Sequence, residues 1–130
     1  MCSSDLSCAT PPDVFRELRR KKAAGKLPDV YLCYNNQCAL WAINALENLG
    51  LRVPEDISII GANALPGQPD EKDLASISLP FHDIGTGTVK RLLDYLENGI
   101  QDSNRNLVFP TAFLNGKTLI DTQRNREKIL

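Results

Sequence analysis

The polar residues best placed to meet a ligand are asparagines. Asn35 and Asn36 close one short apolar run, and Asn63 closes another. A carboxamide carries both N–H donors and a carbonyl acceptor, which suits the hydroxyl groups of a sugar. Phe81 and Trp41 could supply an apolar face for a pyranose ring. The same asparagines would also serve as turn and helix-cap residues, since short polar side chains readily bond their own backbone.

Reactive chemistry has little to work with. The sequence holds no G-x-S-x-G, no phosphate-binding P-loop and no H-E-x-x-H. Gly85-Thr86-Gly87-Thr88 lacks the third glycine of a dinucleotide loop and follows Pro80 rather than a strand. Small residues for close helix packing explain it better. His82 is the single histidine, and at a helix start it is expected to face solvent. The four cysteines, Cys2, Cys8, Cys33 and Cys38, lack the close pairing of a zinc site and are read as reduced, structural thiols. No catalytic residue, metal or cofactor is expected.

The elements that must position the asparagines follow from the apolar pattern. Pro11-Pro12-Asp13 starts a helix with proline and an acid in its first turn, and Gly25 stops it. Asp29–Tyr34 reads as a buried strand, Gln37–Leu49 as a helix, and Asp56–Gly61 as a second strand. Strand, helix and strand within roughly 35 residues form a βαβ unit, whose strands run parallel with a right-handed crossover. Their carboxyl ends, and with them the asparagines, then share one edge of the sheet. The loop from Asn63 to Asp73 lies on that edge, where α/β proteins bind ligands. Leu74–Leu79 is a short extended segment, Leu107–Pro110 with Ala112–Leu114 is a last one broken by proline, and Asp83–Glu97 is an amphipathic helix with Ile84, Thr88, Leu92, Leu93 and Leu96 on one face. Gln37–Leu49 is apolar on two sides. A second subunit is expected against Cys38, Leu40, Trp41 and Ala45, the other side being covered by the sheet.

The totals exclude several classes. The chain has 130 residues and a net charge of −1 from 15 basic and 16 acidic residues, which leaves no footprint for nucleic acid or an anionic membrane. Arg19-Arg20-Lys21-Lys22 is read as a solvated last helical turn. No apolar run approaches the roughly 20 residues of a membrane span. The first residues lack the basic and apolar regions of a secretory signal, so a cytoplasmic location is expected.

At Pro28–Leu40 and again at Ala45–Gly61 the chain resembles the lac-repressor and galactose-repressor family. The pattern Gly50-Leu51-Arg52-Val53-Pro54-Glu55-Asp56, followed by an isoleucine-rich strand and Gly61, is specific to it. The resemblance runs from about Phe15 to Thr118. It implies an α/β fold, a parallel sheet flanked by helices, forming the C-terminal portion of a periplasmic-binding-protein-like type I fold. It implies the sensing and dimerisation module of a bacterial transcriptional repressor, with a small-molecule effector, a sugar, and a homodimer. Operator DNA would be reached only through an N-terminal helix-turn-helix that this sequence does not contain. The expected layout is a flexible leader over residues 1–12, an effector-binding domain over 13–118 and a polar tail over 119–130. The second functional class is a fragment of a sugar-binding transport receptor.

Position by position, the resemblance places Asn35, Asn36, Asn63, Leu79 and Phe81 in the effector site. Asn36 and Asn63 stand where the family has aspartate, Leu79 where it often has glutamine, and Gly116 where a late arginine is common. An amide grips two hydroxyls less strongly than a carboxylate, so the resemblance implies either a different effector or weaker binding.

Overall fold

The computed structural model describes residues 10–64, 72–99 and 106–120. Helix α1 spans Pro11–Ala23. Thr10 precedes it in extended conformation and donates its hydroxyl to Asp13 Oδ2 at 2.6 Å. Val14 and Leu18, four residues apart and so on one face, are its buried residues. Strand β1 is Val30–Leu32, α2 is Asn36–Asn48 and β2 is Ser58–Ala64. These form the expected βαβ unit, with β1 and β2 parallel and Tyr31 opposite Ile59.

Local chemistry fixes the ends of α2. Gly50 adopts φ +76° after the helix, a conformation that favours glycine, and donates its N–H to Glu47 O at 2.9 Å, while Leu51 N–H reaches back to Leu46 O at 3.0 Å. Lys22 Nζ donates to Leu49 O and so ties the end of α1 to the end of α2. In the connection to β2, Arg52 meets Asp56 through Nη2 at 2.9 Å and Nε at 3.1 Å, and its backbone N–H adds a third bond at 2.8 Å. Those bonds hold the Asp56 carboxyl down at about 2.

The core lies on one side of the sheet. α1 packs on α2, α2 packs on β2, and Leu18, Ile43, Leu46 and Ile59 are buried together. Alternation along β1 buries Tyr31 and leaves Val30 and Leu32 exposed on the opposite face.

Strand β3, Ser76–Ser78, runs parallel to β2, and β4, Ala112–Leu114, runs antiparallel to β3. The order is β1-β2-β3-β4, so the sheet is mixed at one edge. After β4 the chain returns to the gap between the starts of β2 and β3. Ile59 N–H donates to Thr118 O at 2.8 Å, and Lys117 N–H donates to Asp73 O at 2.6 Å. The buried Thr118 hydroxyl accepts from Ala75 N–H at 3.0 Å and donates to Ile59 O at 2.8 Å. Gly116 is the crossing point. A Cβ there would lie 2.3 Å from both Ala75 N and Asp73 O, so no larger residue fits this path.

Helix α3, Phe81–Asn98, follows β3 directly and buries no side chain. Val89, Leu92, Leu93, Tyr95 and Leu96 are each at least half exposed. Phe109 rests on it at Gly87, where a Cβ would sit 2.7 Å from the Phe109 ring. No helix among the described residues is long and apolar enough to cross a membrane.

Several expected boundaries move. The leader drawn over 1–12 ends inside α1, because Pro11 and Pro12 are its first-turn residues. The tail drawn from 119 begins too early, since Ile120 N–H donates to Ser58 Oγ at 3.1 Å. β2 continues past Gly61 to Ala64, and α3 starts at Phe81 rather than Asp83. Cys2, Cys8, most of the Asn63–Asp73 loop and residues 121–130 lie outside the described residues.

Candidate functional site

The three parallel strands end on one edge, and the asparagines gather there. Asn35 is the N-cap of α2. In extended conformation, its Oδ1 accepts from Cys38 N–H at 2.8 Å. That satisfies one of the free N–H groups of the first turn. The capping role is therefore realised, and it occupies one of the two lone pairs of the side-chain oxygen.

Asn36 begins the helix and lies across the next two strands. Its Oδ1 accepts the Ser76 hydroxyl at 2.7 Å, joining α2 to β3. Beneath it passes Gly61 of β2, where a Cβ would come within 2.3 Å of that oxygen and 2.8 Å of Leu74 Cδ2. Gly61 is thus a clearance that lets the carboxamide reach Ser76. Neither Ser76 nor this use of Gly61 was legible beforehand, because the bond joins residues 40 apart in sequence.

Asn63 sits two residues beyond Gly61, within β2 rather than after it. The register steps from Ala62 opposite Ile77 to Ala64 opposite Ser78, leaving Asn63 as the extra residue of a bulge at φ +61°. Asparagine tolerates this left-handed region better than most residues. Bulges of this kind re-aim a side chain at a sheet edge. Ser78 Oγ donates to Ala64 O at 3.3 Å and ties β3 to the strand just beyond the bulge.

On β3 the edge continues through Leu79 and Phe81. Phe81 N–H donates to Leu79 O at 2.9 Å, which turns the chain sharply into α3. Leu79 is half-buried and Phe81 exposed. His82 faces solvent, as its position led one to expect, with Nδ1 3.5 Å from Asp83 Oδ1. Gly116 is remote in role: it crosses the start of β3, at the opposite end from Asn63.

The proposed partner face of α2 is narrower than its sequence implies. Ala45 is buried within the chain, so it cannot present surface to a second subunit. Cys38, Leu40 and Trp41 are half-buried. Cys33 is buried, and desolvation, with Cys38 nearby, pushes its thiol up to about 12. Among the described residues no group of three His, Cys, Asp or Glu could hold a metal ion.

A mixed sheet whose first three strands run parallel, an α-helical crossover from β1 to β2 and a polar edge at the carboxyl ends of those strands invite comparison with known proteins. Residues 4–119 match the family described as Periplasmic binding protein-like domain. The chain belongs to that family. Relatives of this periplasmic binding protein-like domain are transcriptional repressors of the lac-repressor and galactose-repressor kind. It is 49% identical over 51 residues to the HTH-type transcriptional repressor PurR of Haemophilus influenzae, covering 39% of this chain and 15% of that protein. To PurR of Aliivibrio fischeri it is 35% identical over 95 residues, covering 72% of this chain and 28% of that protein. Among solved structures it is similar to the lac repressor dimer bound to operator and the anti-inducer ONPF, with a TM-score of 0.68 and 26% identity over 86% of this chain and 39% of that one. The periplasmic binding protein-like domain described here spans well under half the length of these relatives.

Proposed function

We propose that this chain is the effector-sensing part of a bacterial transcriptional repressor. It takes up a small molecule, a sugar, at the carboxyl edge of its parallel strands, pairs with a second copy of itself and catalyses no reaction. Operator DNA is contacted by a helix-turn-helix outside this sequence, and the whole works in the cytoplasm.

The observation that carries the reading is the bulge at Asn63. A polar residue held at φ +61° at a strand end, two residues from the Gly61–Asn36 contact, costs conformational energy that sheet pairing alone does not require. A ligand that uses the re-aimed carboxamide accounts for it. The similar lac repressor, a dimer bound to operator and an anti-inducer, supports the same role.

The test is calorimetric titration of the chain with a panel of aldohexoses and aldopentoses. One of them is expected to bind, and Asn63→Gly should weaken it about tenfold, roughly 1.4 kcal/mol. Glycine accepts the positive φ, so the variant should melt no lower than the parent. Full affinity in Asn63→Gly would remove the site from this edge.

A further inference from the structure

The bulge at Asn63 lies between two side-chain ties, and both start from serines of β3. On the near side Ser76, the register partner of Gly61, donates its hydroxyl to Asn36 Oδ1 at 2.7 Å, and Gly61 N–H donates to Ala75 O at 2.8 Å. The carboxamide passes directly over Gly61, so α2, β2 and β3 are pinned together at that register. On the far side the Ser78 hydroxyl donates to Ala64 O at 3.3 Å. Between the two ties β2 takes three steps, from Gly61 to Ala64, whereas β3 takes two, from Ser76 to Ser78. The surplus residue is Asn63, and it carries the positive φ.

Backbone pairing does not by itself choose this arrangement. In an unbulged ladder Asn63 would oppose Ser78, no residue would be left unpaired and no left-handed residue would be needed. The Ser78 hydroxyl would then lose Ala64 O, or the Asn36–Ser76 tie would have to slip. With both ends fixed one residue out of step, the extra residue must bulge. We infer that Ser76 and Ser78 are positioning residues for Asn63: acting through Asn36 and Ala64, they impose the left-handed backbone at residue 63 before any ligand arrives. That the re-aimed carboxamide then meets a sugar rests on the proposal that the carboxyl edge is the effector site. A rival cause is on the same strand. Ala64 is buried, and burial of its methyl group favours the same register.

Residue 63 can report the constraint directly. At φ +61° glycine is at ease and alanine is not, so the difference in stability between Asn63→Gly and Asn63→Ala measures how firmly the bulge is held. In urea unfolding followed by dichroism, the alanine variant should have an unfolding constant about fivefold larger than the glycine variant. Adding Ser78→Ala should close or reverse that gap, because residue 63 can then relax to the extended conformation. Ser78→Thr keeps the hydroxyl and should keep the gap. Ser76→Ala should close it as Ser78→Ala does.

Calorimetry with the panel of aldohexoses and aldopentoses gives a second readout. Ser78→Ala should weaken the sugar that binds by about threefold or more in the parent, and should add no further loss in Asn63→Gly, because the serine acts through Asn63. A glycine–alanine gap untouched by both serine changes would overturn the inference and assign the bulge to the burial of Ala64. A loss of affinity on Ser78→Ala that is equally large in Asn63→Gly would also overturn it. A gap that closes while no sugar of the panel binds would uphold the two serines as the origin of the bulge and remove the effector site instead.

Discussion

Thr118→Val is the most revealing single change to the fold. Valine matches threonine in shape, so packing is kept and only the hydroxyl is lost. In the parent that hydroxyl accepts from Ala75 N–H and donates to Ile59 O, in a buried place between the starts of β2 and β3. After the change the Ala75 amide has no acceptor and no access to water. An unsatisfied buried donor costs about 1–3 kcal/mol, whereas the Ile59 carbonyl suffers less because one missing bond leaves it only under-used. The sum is about 2–3 kcal/mol. Thr118→Ser keeps both bonds and removes one methyl group, a loss of about 1 kcal/mol. Urea unfolding followed by dichroism separates the two: with a slope of about 1–3 kcal/mol/M, the valine midpoint should fall by about 1 M or more relative to the parent. A valine variant within about 0.5 kcal/mol of the parent would refute the reasoning, as would a serine variant equally destabilised.

Gly116→Ala should cost about 3 kcal/mol or more in the same assay, because its methyl would meet the backbone of Asp73–Ala75, which cannot yield as a flexible side chain would. Cys33 should resist Ellman's reagent at pH 8 until the chain unfolds, mapped by mass spectrometry; because its folded thiol holds its proton up to about 12 against an ordinary 9.0, stability should fall as pH climbs through that window. Asp56 titrates at about 2 when folded against an ordinary 3.8, so its contribution is present above pH 4 and fades as pH falls towards 2; urea midpoints of the parent and Asp56→Asn should converge between pH 5 and pH 2. Light scattering at micromolar concentration should give twice the 14.4 kDa of one chain, and Trp41→Glu should shift the population towards monomer; an unchanged dimer would move the interface off α2, with Leu93→Glu then testing α3.

The βαβ unit was legible because its signals are local. An isoleucine-rich run, an asparagine pair at a helix start and a glycine at a helix end each act within a few residues, as the Asn35 cap and the Gly50 turn do. The carboxyl edge followed from parallel topology alone. What escaped is everything decided by contacts distant in sequence. The extension of β2 to Ala64 hides behind the bulge, since a left-handed asparagine looks like a strand end until its partner strand is seen. Ala45 shares a stripe with Trp41, yet the chain itself buries it. The missing arginine at residue 116 reads as a lost ligand contact. Its physical content is a backbone crossing at which no side chain fits.

The late segment around Thr118 bears on how the protein is made. Its hydroxyl completes bonds to residues 43 and 59 positions earlier, and these lie at the middle of the sheet. A ribosome adding about 5–20 residues per second leaves β2 and β3 in existence for seconds before that segment emerges. During this interval the Ala75 amide and both polar groups of Ile59 have only water for partners. The βαβ unit can collapse early, but the centre of the sheet closes only after the last of these residues is synthesised. Long-range closure of this sort slows folding. Nascent chains halted before residue 118 should therefore be the protease-sensitive ones, however complete their helices.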